Sequence, residues 1–424
     1  MRIGIFSETY TPYISGLVTS EVMLKNALEK EGHEVYVVTA NLESFKYEYD
    51  EKERVLRIPG VPTGIYDSRL TSIYPIQAVN KIKSWKLDVI HSQTEFAIGT
   101  FARIFAKQYN IPLVHTYHTM YEDYIHYITK GYFDGPSKKI VEYLTNFYCD
   151  KTVTELIVPT QKTYNLFKEK YEYERNIHIV PTGIEVERFY AENNNKAEVK
   201  ELRKQLGLSD DDFVLLFVGR LAAEKNVTFL IENHQILARE NGNCKLLIIG
   251  DGPDIEFFKT QARKLNIQDN VIFTGKVPWE QIHKYYQIPN VFVTASHTET
   301  QGLTLLEAMA ASVPVVAYDD EAFRTVVVHD LNGYLFKDKK DYRKYIKKIM
   351  ADKKVFERLS RQARIQGESH SSKYYAEKIL DVYYTALGGR KDEGSWTQFT
   401  DYLYYTSSAD CGNGGCTLCY RKNS

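Results

Sequence analysis

The stretch "FVLLFVGRLAAEKN", residues 213–226, decides the fold. Phe213 to Val218 is an unbroken apolar run that ends on a glycine and a basic residue, and a helix-favouring stretch follows. Such a run marks a strand buried on both faces, as in a parallel sheet covered by helices, whereas an antiparallel sheet would alternate polar and apolar positions.

Similar runs recur on both sides. Downstream lie "CKLLIIGDG" (244–252), "NVIFTG" (270–275), "NVFVTAS" (290–296) and "PVVAYD" (314–319). Upstream lie "RIGIFS" (2–7), "HEVYVVTA" (33–40), "VLRIPG" (55–60), "DVIHSQ" (88–93), "IPLVHTYHT" (111–119) and "IHIVPTGI" (177–184), with helix-period stretches at 17–31 and 95–109. Between the two series, "YAENNNKAEVK" (190–200) reads as a linker because of its consecutive asparagines. The expected fold is α/β, two doubly wound Rossmann-like domains facing a cleft. The division expected is 1–188, 189–370, a helix over 371–388 crossing back to the first domain, and a tail over 389–424. Residues 339–388 read as successive helices, and the Tyr-, Ser- and Gly-rich tail has no assignable pattern.

Composition removes several classes. The 424 residues carry 54 Lys+Arg against 55 Asp+Glu, a net charge of -1, so no overall field draws the chain to nucleic acid. No apolar run approaches the roughly 18 residues of a membrane span, and "MRIGIFSETY" lacks the marks of a secretory leader. A cytoplasmic location is expected. Cys149 and Cys244 sit in apolar surroundings as small core residues. Cys411, Cys416 and Cys419 crowd the tail without a nearby fourth ligand, so no metal site is expected.

Four stretches bear chemistry. Gly16 follows the first strand and opens a helix, where backbone N–H groups can approach an anion; a plain strand-to-helix turn explains it too. Arg220 and Lys225 leave the end of the opening strand, a planar fork and a mobile point charge suited together to a diphosphate, or two solvated charges. In "HTETQGLTLLEAMA" (297–310), Glu299 precedes a helix starting near Gly302 and Glu307 lies inside it. Carboxylates accept from hydroxyl pairs, so the fit is to a polyol, with Glu307 near a ribose and Glu299 near a hexose. A capping acid and an exposed helical acid are the alternative. In "VHTYHTMYEDYIHYI" (114–128), His118 leaves a strand end beside Tyr117, Tyr121, Glu122 and Tyr124 on the crevice side, although a lone histidine is more often structural.

With these residues in view, the sequence resembles the retaining glycosyltransferases of family 4, which have the GT-B fold. The resemblance rests on "GRLAAEKN", on Glu299 and Glu307 in "ETQGLTLLEAMA", on "GDGP" (250–253) and on "VPTGIEVERF" (180–189), and covers roughly residues 1–388. It implies that Gly16 approaches the donor phosphates, although "SGL" stands where many relatives have a glycine pair or Asn-Gly. It further implies that Arg220 and Lys225 neutralise the diphosphate, that Gly302, Leu303 and Thr304 offer amides to the distal phosphate, that Glu307 holds the ribose, that Glu299 touches the transferred sugar, and that His118 lies near sugar and acceptor.

More narrowly, "HTMYEDYIHYI" and "TETQGLTLLEAMA" resemble the bacterial diacylglycerol glucosyltransferases. That implies a UDP-glucose or related donor, a lipid acceptor at the membrane surface, no required cofactor or metal, and a peripheral position on the inner face of the membrane. The lipid-facing segment implied is "YITKGYFDGPSKKIVEYLTNFYCDK", with Lys130, Lys138 and Lys139 beside Tyr127, Tyr132, Phe133 and Tyr148. The expected reaction is front-side glycosyl transfer with retention. Another glycolipid or a polysaccharide intermediate is the alternative acceptor, and a sugar-nucleotide epimerase or a non-catalytic UDP-sugar sensor the alternative activity.

Overall fold

The computed structural model describes residues 1–13, 15–62, 69–118, 149, 152–171, 173, 176–297, 299 and 301–388. Apart from Cys149, the segment implied to face lipid, with Tyr121, Glu122 and Tyr124, lies outside the described residues, as does the tail with its three cysteines.

The first sheet is built from β1 (Arg2–Phe6), β2 (Glu34–Asn41), β3 (Glu48–Asp50), β4 (Val55–Pro62), β5 (Arg69–Thr71), β6 (Val89–Ser92), β7 (Leu113–Thr116), β8 (Glu155–Val158) and β9 (Ile177–Ile179). Its order is β3-β4-β2-β1-β6-β7-β8-β9, with β5 on β4, and only the pairings of β3 and β5 are antiparallel. The second sheet holds β10 (Phe213–Val218), β11 (Cys244–Ile249), β12 (Val271–Gly275), β13 (Val291–Thr294), β14 (Val315–Tyr318) and β15 (Gly333–Phe336). Its order is β12-β11-β10-β13-β14-β15, parallel throughout.

The apolar run that opened the sequence reading is the centre of this second sheet. Val214 and Leu216 enter the core on one face, Leu215 and Phe217 the core on the other, and all four are buried. Cys149 and Cys244 are buried core residues. Four short strands, β3, β5, β8 and β15, escape the sequence reading. The stretch 190–200 also differs from a linker. Asn193 and Asn194 donate to the backbone carbonyls of Glu187, Arg188 and Tyr190, and Asn195 caps the helix Lys196–Gln205 by accepting from the Ala197 amide. Val199 and Leu202 of that helix pack against the core under the second sheet.

The chain finally returns to the first sheet. Ile184 and the segment at 370–372 exchange backbone hydrogen bonds of 2.8 Å, and the closing helix Ser372–Ala386 buries Tyr375, Ile379 and Tyr383 with Ile3, Ile5 and Val35. The helix Leu303–Ala310 is held from behind by Lys353–Glu368, whose Gly367 lies so close that a Cβ would stand 2.5 Å from the Ala310 nitrogen. Gly367→Val should therefore destabilise the protein by about 1–3 kcal/mol through overpacking, read as a lower urea midpoint with an unchanged slope. An unchanged midpoint would show that this helix contact is not required.

Candidate active site

Both sheets reverse their order beside one strand. β2 and β6 flank β1, and β11 and β13 flank β10. Ligands of open α/β sheets sit in the crevice outside the carboxyl ends of strands at such switch points. Gly16 opens the helix after β1, the loops that leave β10 and β13 carry Arg220 and Glu299, and His118 follows β7, the neighbour of β6.

On the second sheet, Lys225 donates to Glu299 Oε1 at 2.5 Å. Burial would raise the Glu299 carboxyl, but the Lys225 charge and hydrogen bond, helped by Lys162, outweigh it and hold it below the usual carboxylate range. Lys162 comes from the other half, in the helix Gln161–Asn165 after β8, and bonds Asp320 at 3.1 and 3.2 Å. Asp320 also caps the short helix Glu321–Arg324 by accepting from the Ala322 amide at 2.9 Å. Arg220 Nη1 lies 3.9 Å from Glu224 Oε1.

Gly302 starts the helix Leu303–Ala310 from the left-handed region, at φ +83, and a Cβ there would meet the Phe323 ring at 2.6 Å. Glycine is thus required for both backbone conformation and space. Leu303 and Thr304, half-buried, open the first turn, where the Leu305 amide already bonds the Gly302 carbonyl at 3.1 Å and the earlier amides precede any intrahelical acceptor. Glu307 is 5% exposed and accepts from the Tyr286 hydroxyl at 2.6 Å. Burial pushes its pKa up to about 7, against the opposing pull of Tyr286 and Arg188.

On the first sheet, Ser15 caps the helix Gly16–Lys30 by accepting from the Val18 amide at 3.2 Å. A Cβ on Gly16 would meet nothing within 4 Å, so the protein's own packing does not demand glycine there. His118 Nε2 lies 2.6 Å from Gln93 Oε1. Burial, then His115, lowers the His118 pKa to about 4 against an opposing contribution from Glu95. Behind it, His115 bonds the Ser92 carbonyl at 2.9 Å and Glu95 at 3.0 Å.

Tyr117 requires a correction. It is fully buried, with its ring edge-on to Phe167 at 5.0 Å, and belongs to the core rather than the acceptor side. Sequence reasoning did not single out Gln93, Lys162, Tyr286 or Gln301. Gln93 follows a switch-point strand and was legible in principle. Lys162, Tyr286 and Gln301 meet their partners only through the tertiary fold.

Comparison with known proteins bears on this crevice. Residues 14–188 match the model of Glycosyltransferase Family 4, and residues 198–366 that of Glycosyl transferases group 1. The chain is 36% identical over 389 residues to the Alpha-monoglucosyldiacylglycerol synthase of Acholeplasma laidlawii, covering 90% of this chain and 96% of the relative. It is 37% identical over 338 residues to the Streptococcus pneumoniae protein of that name, covering 79% and 75%. In fold, it superposes on sucrose-phosphate synthase from Thermosynechococcus elongatus with a TM-score of 0.73 at 19% identity, covering 91% of this chain and 99% of the other. The TM-score is 0.69 at 18% identity for Anabaena HepE in complex with UDP-glucose, covering 91% and 100%.

The Glu307 environment gives a signed pH dependence. Above pH 4.5 the unfolded carboxyl is ionised, whereas the folded one keeps its proton to about 7. The folded state then binds the extra proton, so stability falls as pH rises across that window, by about 3 kcal/mol in total. Glu307→Gln lacks this loss. In urea unfolding at pH 5 and pH 8, the variant should gain on the wild type by about that amount, and a constant difference would refute the assignment.

Proposed function

The chain belongs to the family 4 glycosyltransferases, and from that premise we propose that it transfers glucose from UDP-glucose to 1,2-diacylglycerol with retention of anomeric configuration. The observation that carries the reading is the Lys225–Glu299 pair beside the open start of the helix Leu303–Ala310. It sets a cation, a hydroxyl-binding carboxylate and helix-start amides side by side, the requirements of a sugar joined to a diphosphate. The two relatives named as monoglucosyldiacylglycerol synthases supply the sugar and the acceptor class.

In this reading residues 1–188 form the acceptor side and 189–370 the donor side, with the helix over 371–388 joining them. The diphosphate lies over Arg220, Lys225 and the amides of Leu303 and Thr304, with Gly16 giving it room. Glu307 takes the ribose, Glu299 the hexose, and His118 faces the hexose from the acceptor side. The bond between the anomeric carbon and the UDP phosphate oxygen breaks while the acceptor oxygen bonds that carbon on the same face. The acceptor's proton passes to the departing phosphate oxygen. Arg220, Lys225 and the helix start stabilise the charge developing there, and fixed groups of this kind contribute strongly because they need no reorganisation. Neither step requires a carboxylate nucleophile.

A lipid acceptor calls for contact with a bilayer. No helix among the described residues is long and apolar enough to cross a membrane. The first sheet instead exposes apolar side chains at one edge. Val61 and Leu70 are register partners on β4 and β5, 65% and 62% exposed, and Ile73 and Ile76 follow them, also exposed. Phe45 is exposed too, with the Arg69 guanidinium over its ring at 4.8 Å. Apolar residues beside a cation suit an interfacial surface.

Three measurements test the proposal. Arg220→Ala should lower kcat about 100- to 1000-fold, as for loss of one oxyanion-stabilising donor, in a protein with unchanged circular dichroism. Near-normal turnover would sink the donor-site assignment. In a radiolabelled UDP-sugar panel, product should form with diacylglycerol vesicles, and product confined to a glycolipid or soluble acceptor would overturn the acceptor. Val61→Asp with Leu70→Asp should reduce vesicle co-sedimentation, and unchanged binding would remove that edge as the contact surface.

A further inference from the structure

We propose that Gln93 is a positioning residue for the transfer reaction: its buried side-chain amide fixes the orientation and tautomer of His118, and so decides which ring nitrogen meets the sugar. The proposal rests on the reading of His118 as the sugar-facing histidine. Gln93 is the first residue after β6, and its backbone amide donates to the Phe6 carbonyl at 2.9 Å, tying it to β1 at the switch point. Its side chain is 1% exposed with the residue as a whole, so the amide cannot exchange its partner for water. His118 Nε2 lies 2.6 Å from its Oε1, and no other bond to the His118 ring occurs among the described residues.

The chemistry follows from what each atom can do. A carbonyl oxygen only accepts, so Nε2 carries the hydrogen and Nδ1 keeps the lone pair. An imidazolium would make the distinction empty, but the surroundings keep this ring neutral. The groups around it are His91 on β6, Glu95 on the loop after β6, His115 on β7, and Arg103 on the helix Ala97–Tyr109, which acts on His115. The deeper histidines are held at both nitrogens. His91 bonds the Tyr383 hydroxyl and Thr116 Oγ1, and His115 the Ser92 carbonyl and Glu95. Among the described residues His118 is held at Nε2 alone, and on the proposed reading Nδ1 is the nitrogen that meets the ligand. The Gln93 Nε2 is buried and has no hydrogen-bond partner among the described residues. Leaving such a buried donor unsatisfied is costly, and natural proteins keep few of them without a use.

The test compares Gln93→Glu, Gln93→Met and His118→Ala in the full-length protein, with diacylglycerol vesicles and UDP-glucose, after circular dichroism has established folding. A carboxylate opposite Nε2 stabilises the imidazolium, so Gln93→Glu should move the acid limb of the kcat/KM profile upward from about 4 toward neutrality. Gln93→Met leaves the ring unheld. Its kcat should fall on the order of 100-fold, the cost of a misplacement of about 1 Å, with little change in donor KM. Nitrogen-15 NMR of the His118 ring should show the Nε2–H tautomer in the wild type and a mixture in Gln93→Met. That NMR signature decides the question alone if Gln93→Glu fails to fold. Unchanged tautomer, pH profile and kcat in the Gln93 variants, with His118→Ala impaired, would overturn the positioning role and leave the reading of His118 intact. Wild-type turnover by His118→Ala would instead overturn the reading on which the proposal stands.

Discussion

The side-chain amide of Gln301 makes two hydrogen bonds of 2.8 Å to the backbone of Thr182, accepting from its N–H and donating to its carbonyl. Both residues are buried, so this one side chain satisfies two backbone groups that would otherwise be orphaned. It also fixes the loop that carries Glu299 against the segment leaving the edge of the first sheet. At Gly183 the same segment passes so close to the closing helix that a Cβ would stand 2.7 Å from the Ser371 carbonyl oxygen and the Tyr375 side chain. The joint between the halves and the position of the site glutamate are therefore set by the same few residues.

Charge in the crevice is arranged in compensated pairs. Lys225 answers Glu299 and Lys162 answers Asp320, while Glu307, next to Tyr286, avoids a charge cost by keeping its proton to about pH 7. Buried ions left alone are costly. On the proposed function, the donor phosphate lies against Lys225 and the sugar hydroxyls against Glu299, so the two halves of a sugar nucleotide meet the two members of one pair. The Lys162–Asp320 bond crosses between the halves, so its electrostatic contribution to Glu299 depends on their relative position.

Much of the fold was legible because its strands are unusually plain. The central β10 is a continuous apolar run and β11 is broken only by Lys245, and the periodic stretches 17–31 and 95–109 match helices Gly16–Lys30 and Ala97–Tyr109 closely. β3 reads "EYD" and β5 reads "RLT", short edge pieces whose pairing with β4 supplies what their sequence lacks. β8 reads "ELIV" and β15 reads "GYLF", four residues each like the recognised β6, β7, β13 and β14, so length does not account for their being missed. The asparagines at 193–195 misled for a different reason: turn-forming side chains also cap helices and bond neighbouring carbonyls, and here they do both.

The two halves of the crevice differ in how their residues are encoded. Gly302, Leu303, Thr304 and Glu307 lie within one loop-helix unit, and Arg220 and Lys225 within one strand-loop unit, so each group falls inside a single short stretch that a family resemblance can carry. The His118 environment is assembled instead from separate strand ends, with Gln93 after β6, His115 on β7 and Glu95 between β6 and the next helix. No short pattern contains all of these, because parallel neighbours in a sheet are joined by a helix and lie some 25 residues apart, as the pairs His91–Thr116 and Gln93–His118 do. The same geometry explains why Tyr117, adjacent to His118 in sequence, was misjudged. Adjacency along a strand end places successive side chains on different sides, and here one side is the crevice and the other the packed ring of Phe167.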